Sequence, residues 1–600
     1  MNGKVRILIV LTVIAGAARL FAMTFLHPLN WDEVEYFRAT NWVREGLVPF
    51  RDFWEHHTPL QWFVFAPVTA LTSSPGASAI ILMRWAQLPL WIVAFWLALR
   101  LMDRAGIDRF GRWVAIVLAV SSSLLMISVM EYRVDVLANV LYLGGLALLL
   151  ERGRPRPRFA SFAAGALFCL AGLANLRLGP LLAVTALLSV AVDIPEKRWR
   201  FRKEALLLAA GVVTILAAAL LYFVATDSLR PLYQHVWVEN YIGEKHAERV
   251  PLAFLHRILV PFGVRIYGGA GLFDVAGLDL SGAAIILSGL VGLVFALRRW
   301  RTPDALFFLA LLQIANIAFV AGMKFVYHYH LQIVVLLMLP FVASVLRPSR
   351  SLVAFVVAAA LLHVPIVVLR GKERELRYQD QVMREADART APGSKVFDGV
   401  GWALRREPAW HFWFLPVLAR QLVASGHAAP YTLAAWMSDP PAAVITDRNA
   451  VVWLASDPRL GAYVTKHYLP LLRNLWLPGM SARLDAGGRV EWVVPATGRY
   501  RLVASPQFAG LSWFVTPFGL HAPVQMTGGA GGVSLMVNGV AVDPSRPIEL
   551  RHGQRVMASS SSAVGVFLIR GDETSWFQQP PRDVTIDAEG PRTWHWPMLN

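Results

Sequence analysis

Six carboxylates crowd a short stretch near the N-terminus: Asp32, Glu33, Glu35, Glu45, Asp52 and Glu55. Aromatic residues interleave with them, in Trp31-Asp32-Glu33-Val34-Glu35-Tyr36 and again in Phe50-Arg51-Asp52-Phe53-Trp54-Glu55-His56-His57. Carboxylates accept hydrogen bonds from hydroxyl groups and take up their protons. Aromatic rings add flat apolar faces. The combination suits a polyhydroxylated ring and the activation of a hydroxyl. The ordinary reading is solvated loop charge beside interfacial aromatics. That reading is favoured for Glu35 and Glu45, and the chemical one for Asp32 and Glu33.

Three further groupings follow. In Glu131-Tyr132-Arg133-Val134-Asp135, ionisable residues stand between two apolar runs. Charge at membrane depth is costly, so such residues pair or face a cavity. Arg133 and Asp135 either hold two helices together or touch a ligand. Asn175-Leu176-Arg177 places one arginine in an apolar hairpin, and Lys324-Phe325-Val326-Tyr327-His328-Tyr329-His330 precedes a late apolar run. Arg177 and Lys324 either snorkel to an interface or offer cations to a phosphate. His56, His57, His328 and His330 lack a defined ligand set, so structural or phosphate-contacting roles rank above a metal site. No cofactor is required, and a divalent metal has no support of its own.

The elements that position these residues are apolar. The chain has 600 residues, 56% hydrophobic and 16% charged, with mean hydropathy +0.48. Soluble domains carry about 25% charged residues. The single Cys169 lies in an apolar run, which excludes a disulfide within the chain and a cysteine-based metal site. The net charge of +17 comes from short basic loops rather than one basic face, which argues for membrane topology and against nucleic acid.

Runs long enough to span a bilayer are read near 5–26, 79–100, 112–130, 134–150, 159–175, 178–194, 205–226, 281–297, 305–322, 331–346 and 351–369. The first is read as an uncleaved span. With the N-terminus cytoplasmic, every inside loop is basic: Arg100, Arg104, Arg109 and Arg112; Arg152, Arg154, Arg156 and Arg158; Lys197, Arg198, Arg200, Arg202 and Lys203; Arg298, Arg299 and Arg301; Arg347 and Arg350. The positive-inside rule then places 27–78, 131–133, 175–177, 227–280, 323–330 and everything after about 370 outside. Residues 60–72 read as an interfacial or re-entrant helix.

Beyond 370 the composition changes. Residues 371–482 read as an α/β domain, with strands at 395–397 and 442–446 and helices at 410–424 and 449–456. Residues 483–600 read as a β-sandwich-like domain, with strands at 489–494, 498–504, 533–537, 548–550 and 563–570.

The order of motifs resembles a known family. An outside Asp32-Glu33 is followed by Gly46-x-x-Pro49-Phe50-x-Asp52-Phe53 and His57-x-Pro59-Leu60, then by Arg133-x-Asp135 and His328-Tyr329 before a late span. Over residues 1–370 this resembles the GT-C superfamily, in the group of protein O-mannosyltransferases and lipid A aminoarabinose transferases. Members carry lysine near the position of Arg177, and the lipid A enzymes carry lysine near that of His57. The resemblance implies a transmembrane catalytic domain of about eleven helices at 1–370. It implies an inverting transfer of a monosaccharide from a polyprenyl-phosphate donor to an extracytoplasmic lipid, polysaccharide or protein. Asp32 is then the base. Glu33, Asp52, His57, Arg133, Asp135, Arg177, Lys324, His328 and His330 are the expected substrate ligands. The expected location is a bacterial inner membrane, with both C-terminal domains periplasmic. A polytopic lipid or glycan transporter is the competing class. Ionisable residues gathered at one face, without a visible repeat, favour the enzyme.

Overall fold

The computed structural model describes residues 3–150, 158–193, 198–199, 205–246, 253–259, 262, 279–301, 303–324, 326–347, 349–361, 375–505, 532–571 and 586. The basic loops at 151–157 and 200–204, much of the outer loop beyond 246, the end of the last span at 362–369, Phe325, and 506–531 and 572–585 lie outside the described residues. The chain forms two compact units. One comprises Met1–His27, Tyr36–Ser73 and Ala79–Glu373; the other comprises Pro28–Glu35, Ser74–Ser78 and Arg374–Asn600.

The first unit is helical. Its helices include α1 (Gly3–Leu26), α2 (Trp31–Arg44, which begins in the second unit), α3 (Leu60–Thr69), α4 (Ala77–Arg104), α5 (Arg109–Ser121), α6 (Ser123–Met130), α7 (Val134–Leu149), α8 (Arg158–Ala174), α9 (Gly179–Ala191) and α10 (Ala205–Ala225). After them come α11 (Leu229–Leu232), a π-helix at Tyr233–Glu239, α12 (Asn240–His246), α13 (Ala253–Leu259), α14 (Leu280–Leu297), α15 (Ala305–Gly322), α16 (Leu331–Val345) and α17 (Arg350–Leu361). Each of the eleven expected spans has a helical counterpart. Among the described residues, five helices are long and apolar enough to cross a membrane by themselves: α4, α10, α14, α15 and His328–Val345. A sixth follows if α1 and α2, which meet at a 79° bend, count as one broken span. The remaining expected spans are shorter or interrupted, and 112–130 divides at Ser122 into α5 and α6. Residues 27–78, expected to lie outside, carry α3 within the helix expected at 60–72 and also α2, where a loop was expected.

Helix ends explain these boundaries. Asp108 caps α5 through Phe110 N, Asp279 caps α14 through Gly282 N, and Asp304 caps α15 through Phe307 N. The break at Ser122 frees backbone groups that lipid would leave unsatisfied. There Arg19 Nη2 donates to Val120 O at 2.6 Å, and Ser122 Oγ donates to Asp279 Oδ2 at 3.0 Å. Helix α8 meets α10 through glycines: a Cβ at Gly165 would fall on Leu208 O, and one at Gly211 on Phe162 O.

The second unit contains two sheets. Its described strands are β1 (Lys395–Phe397), β2 (Glu407–Pro408), β3 (Ala443–Ile445), β4 (Tyr468–Leu472), β5 (Leu475–Leu484), β6 (Arg489–Val493), β7 (Gly498–Ser505), β8 (Val533–Val537), β9 (Val540–Val542), β10 (Ile548–Leu550), β11 (Arg555–Ser560) and β12 (Val564–Arg570). Strands β1, β3, β6, β7, β8, β10 and β12 lie where strands were expected, whereas β2, β4, β5, β9 and β11 were not expected. The larger sheet runs β10-β7-β12-β5-β3-β1-β2, with β4 also on β5; the smaller runs β9-β8-β11-β6. Met480, Trp492, Tyr500, Leu502, Leu535, Val556, Val566 and Leu568 fill the space between them as a sandwich core. Strand β5 pairs with β3 on one edge and β12 on the other, so the expected division at 482–483 falls within a strand shared by one continuous sheet. The helix expected at 410–424 begins only at Val417, behind Pro416.

His467 gives this unit a pH dependence. It is buried against Tyr463, with rings 4.0 Å apart, and burial lowers its pKa to about 4. The unfolded chain therefore binds a proton that the folded chain refuses between about pH 4 and 6.5. The stabilising contribution is present above pH 6.5 and is lost as pH falls toward 4. About 2 kcal/mol should disappear between pH 7 and 5. Hydrogen-exchange protection of β4 and β5, corrected for intrinsic rates, should fall accordingly, and His467→Gln should flatten the difference.

Candidate functional site

The first unit gathers charged residues where α6 gives way to α7. Residues 131–133 belong to neither helix, and Arg133 is extended, which leaves backbone groups without helical partners. One side chain from α4 satisfies two of them: Gln87 Nε2 donates to Glu131 O at 2.7 Å, and Arg133 N donates to Gln87 Oε1 at 2.9 Å.

Arg133 is fully buried. Its guanidinium pairs with Glu131 at 3.3 Å and Asp135 at 3.3 Å, and lies 3.5 Å from the centre of the Tyr329 ring. Asp135 occupies the first turn of α7, where the helix dipole favours a carboxylate. Glu131 also meets His27 Nε2 at 3.4 Å and His328 Nε2 at 3.0 Å. The positive charge of Arg133 is thus shared between two carboxylates. Arg133→Met should cost about 3–5 kcal/mol, because it strands both in a buried setting. A thermal melt of the purified protein would check this, and Arg133→Lys should fall between.

Arg177 stands apart from that pairing. Asn175 caps its 3-10 turn, accepting from Arg177 N at 3.0 Å, while Asn175 Nδ2 donates to Asp135 at 2.9 Å. The Arg177 guanidinium lies 5.6 Å from the Tyr329 ring centre. A pocket opens beside it, lined by Asp135, Asn139, Asn175, Arg177, Asn316, Tyr329 and His330, with Leu178, Leu181, Phe319, Val320, Met323 and Ile333 as its apolar wall. Among the described residues, two buried donors there lack hydrogen-bond partners, His330 Nε2 and Asn316 Nδ2. His330 Nδ1 accepts from Tyr327 N at 3.2 Å, so the neutral ring carries its proton on Nε2. The pocket thereby offers a guanidinium, an imidazole N–H and an amide N–H beside aliphatic and aromatic walls. That set suits an anion joined to an apolar chain.

A second group lies between α2 and α3. Glu55 is fully buried and accepts from His56 N at 2.7 Å, His57 N at 3.2 Å and His57 Nδ1 at 3.0 Å. Burial alone would raise its pKa. Hydrogen bonds from His56 and His57, and their charge when protonated, hold the carboxyl well below its usual range instead. With Nδ1 committed to Glu55, neutral His57 accepts at Nε2, 3.4 Å from Tyr36 OH. Tyr36 in turn lies 5.9 Å below the Arg133 guanidinium. Glu55, His56 and His57 hold their ligand atoms within 4.8 Å of one another and are the residues of this unit placed to share a cation.

Asp32 and Glu33 belong to the second unit, in the first turn of α2. Glu33 is buried and accepts from Asn30 N at 2.9 Å, while Asn30 Oδ1 accepts from Asp32 N at 3.1 Å. This reciprocal pair is a capping box. It occupies one Glu33 oxygen, and Asp32 remains half-buried beside it.

Of the expected ligands, Arg133, Asp135, Arg177, His328 and His330 come together around Tyr329, and His57 joins through Tyr36. Asp52 and Lys324 have other partners. Asp52 is exposed, pairs with Arg51 at 2.7 Å and accepts from Val48 N at 2.7 Å. Lys324 Nζ donates to Lys245 O at 3.3 Å. Sequence reasoning counted Glu55 among the carboxylates without giving it a role, and passed over Gln87, His27 and Asn316. The signal for Gln87 and Asn316 was a polar amide within an apolar run.

No protein-family model matches the chain, and no curated protein matches it. Solved structures do. The chain is similar to ArnT from Cupriavidus metallidurans bound to undecaprenyl phosphate, with a TM-score of 0.51 at 13% identity over 74% of this chain and 94% of that one. Against the same protein in its apo state the TM-score is 0.51 at 14% identity, over 78% of this chain and 97% of that one. The likeness shows the fold alone: a polytopic helical membrane architecture with a C-terminal sheet region.

Proposed function

We propose that the chain is a glycosyltransferase that moves a monosaccharide from a polyprenyl-phosphate donor to an extracytoplasmic acceptor, in a bacterial inner membrane with its N-terminus cytoplasmic. The observation that carries this reading is the pocket where the Arg177 guanidinium and the unpartnered donors of His330 and Asn316 meet an apolar wall. A lipid phosphate has that division of character. The fold shared with a protein solved with undecaprenyl phosphate supports the same class of ligand.

In this reading the acceptor hydroxyl attacks the anomeric carbon from the face opposite the phosphate. Its proton passes to Asp32 as the new C–O bond forms. The bond from the anomeric carbon to the phosphate oxygen breaks, its electron pair stays on that oxygen, and the anomeric centre inverts. Negative charge gathers on the departing lipid phosphate. Arg177, with His330 and Asn316, receives it, and such preorganised donors act where charge develops. Arg133, already shared between Glu131 and Asp135, chiefly holds Tyr329 and the chain break in place. Glu33 contributes to the α2 cap beside Asp32.

The test is incubation of the purified full-length protein with a panel of polyprenyl-phosphate sugars and candidate glycan, lipid and protein acceptors. Mass spectrometry should find free polyprenyl phosphate and glycosylated acceptor in equal amounts. Absence of both across the panel, with bound lipid phosphate recovered unchanged from the opposite membrane face, would favour a transporter instead.

A further inference from the structure

We propose that the helix from Leu229 to His246 is a membrane-surface anchor, with Tyr233, Trp237 and Tyr241 seated among phospholipid headgroups. The three aromatics recur every fourth residue and are 62%, 56% and 71% exposed. The helix runs from α11 through the π-helix Tyr233–Glu239 to α12. A four-residue step falls short of one turn in a π-helix and just past one turn in an α-helix. The two offsets partly cancel, so the rings stay on one side. π-Helical turns also recur at functional positions.

Continuity with the bilayer identifies the occupant. This helix starts four residues after α10 ends at Ala225, and α10 is among the helices long and apolar enough to cross a membrane. The last turns of α10 expose Leu220, Leu221 and Val224. The chain therefore leaves lipid immediately before the aromatic stripe. Tyrosine and tryptophan combine an apolar ring with a polar tip, which matches the headgroup layer better than water or hydrocarbon. Exposed Arg230 and Lys245 flank the stripe and place cations at the depth of lipid phosphates.

The opposite side of the helix is buried and built into the first unit. Val236, Glu239 and Ile242 are 3%, 8% and 8% exposed. Trp54 Nε1 donates to Glu239 Oε2 at 2.8 Å, and Asn240 Nδ2 donates to His56 O at 2.9 Å. The anchor thus holds the turn that carries Glu55, His56 and His57, and ties its position to the membrane surface.

The test does not depend on the reaction. In the full chain carrying Cys169→Ala, a nitroxide is attached at Tyr233→Cys, Trp237→Cys or Tyr241→Cys, with Ser545→Cys as the aqueous reference. The proteins are placed in phosphatidylglycerol–phosphatidylethanolamine nanodiscs. Relative accessibility to oxygen over a water-soluble nickel chelate should be at least about threefold higher at the three helix positions than at Ser545, as interfacial burial demands. A ratio equal to that at Ser545, or one that rises only when a soluble glycan or protein is added, overturns the proposal. The unmodified chain supplies an independent check. A phospholipid bearing a headgroup-proximal diazirine should photolabel the 229–246 peptide, and labelling of α10 without labelling of that peptide also overturns it.

Discussion

Asp32→Asn should lower the rate of sugar transfer at least about 100-fold while leaving binding of undecaprenyl phosphate unchanged. General-base assistance is worth typically 10²–10⁴-fold, and an amide cannot take the proton. The substitution keeps size and hydrogen-bonding capacity. The cap of α2 rests on the Asn30 and Glu33 side chains, which the substitution leaves in place, so the helix should form normally. Glu33→Gln is the informative partner. It weakens the capping box by about 1 kcal/mol and should lower thermal stability, with a smaller effect on rate. Single-turnover kinetics on both variants, with lipid-phosphate binding measured in parallel, would separate the roles. Near-normal turnover of Asp32→Asn removes it as the base.

Arg177→Ala should weaken binding of undecaprenyl phosphate about 10- to 100-fold, from the loss of charge-assisted hydrogen bonds worth about 1.5–3 kcal/mol. The contrast with Arg133 sharpens this expectation. Arg133 is locked between Glu131 and Asp135, so its removal should act first on folding. Arg177 caps no carboxylate cluster and lines the pocket, so its removal should act first on the ligand. His330→Leu should add to the loss by deleting the Nε2 donor. Binding measured by isothermal titration in detergent, beside a thermal melt of each variant, distinguishes the two arginines. Unchanged affinity for Arg177→Ala would return that residue to a snorkelling role.

Much of this protein was legible without coordinates. Helical apolar runs and several of the short strands beyond 395 follow from local chemistry, because each depends on neighbours a few residues away. The Asp32-Glu33 pair and the Arg133-x-Asp135 spacing were visible for the same reason. Local reading erred where an element had to be continuous through space. It divided β5 between two domains, because pairing on both edges of a strand leaves no mark in its own residues. It also read a loop where α2 begins, since Asn30 and Glu33 reveal a cap only when their side chains are seen to reach back.

The sequence alone determined which residues carry charge in an apolar chain, and that these residues must pair or face a cavity. Only the tertiary structure decided between those two fates. Arg133 is neutralised by Glu131 and Asp135, on a chain break held by Gln87 from another helix. Arg177, with the same side chain, opens on a pocket beside His330 and Asn316. The acidic stretch that first drew notice divides in the same way: Glu33 turns to a helix cap, Asp52 to Arg51, and Glu55 to the two histidines after it. The physical reason is that near neighbours can neutralise a charge locally, as Glu131 and Asp135 do for Arg133, but what surrounds it is set by residues far along the chain: Gln87 at the break beside Arg133, and Asn316, Tyr329 and His330 beside Arg177.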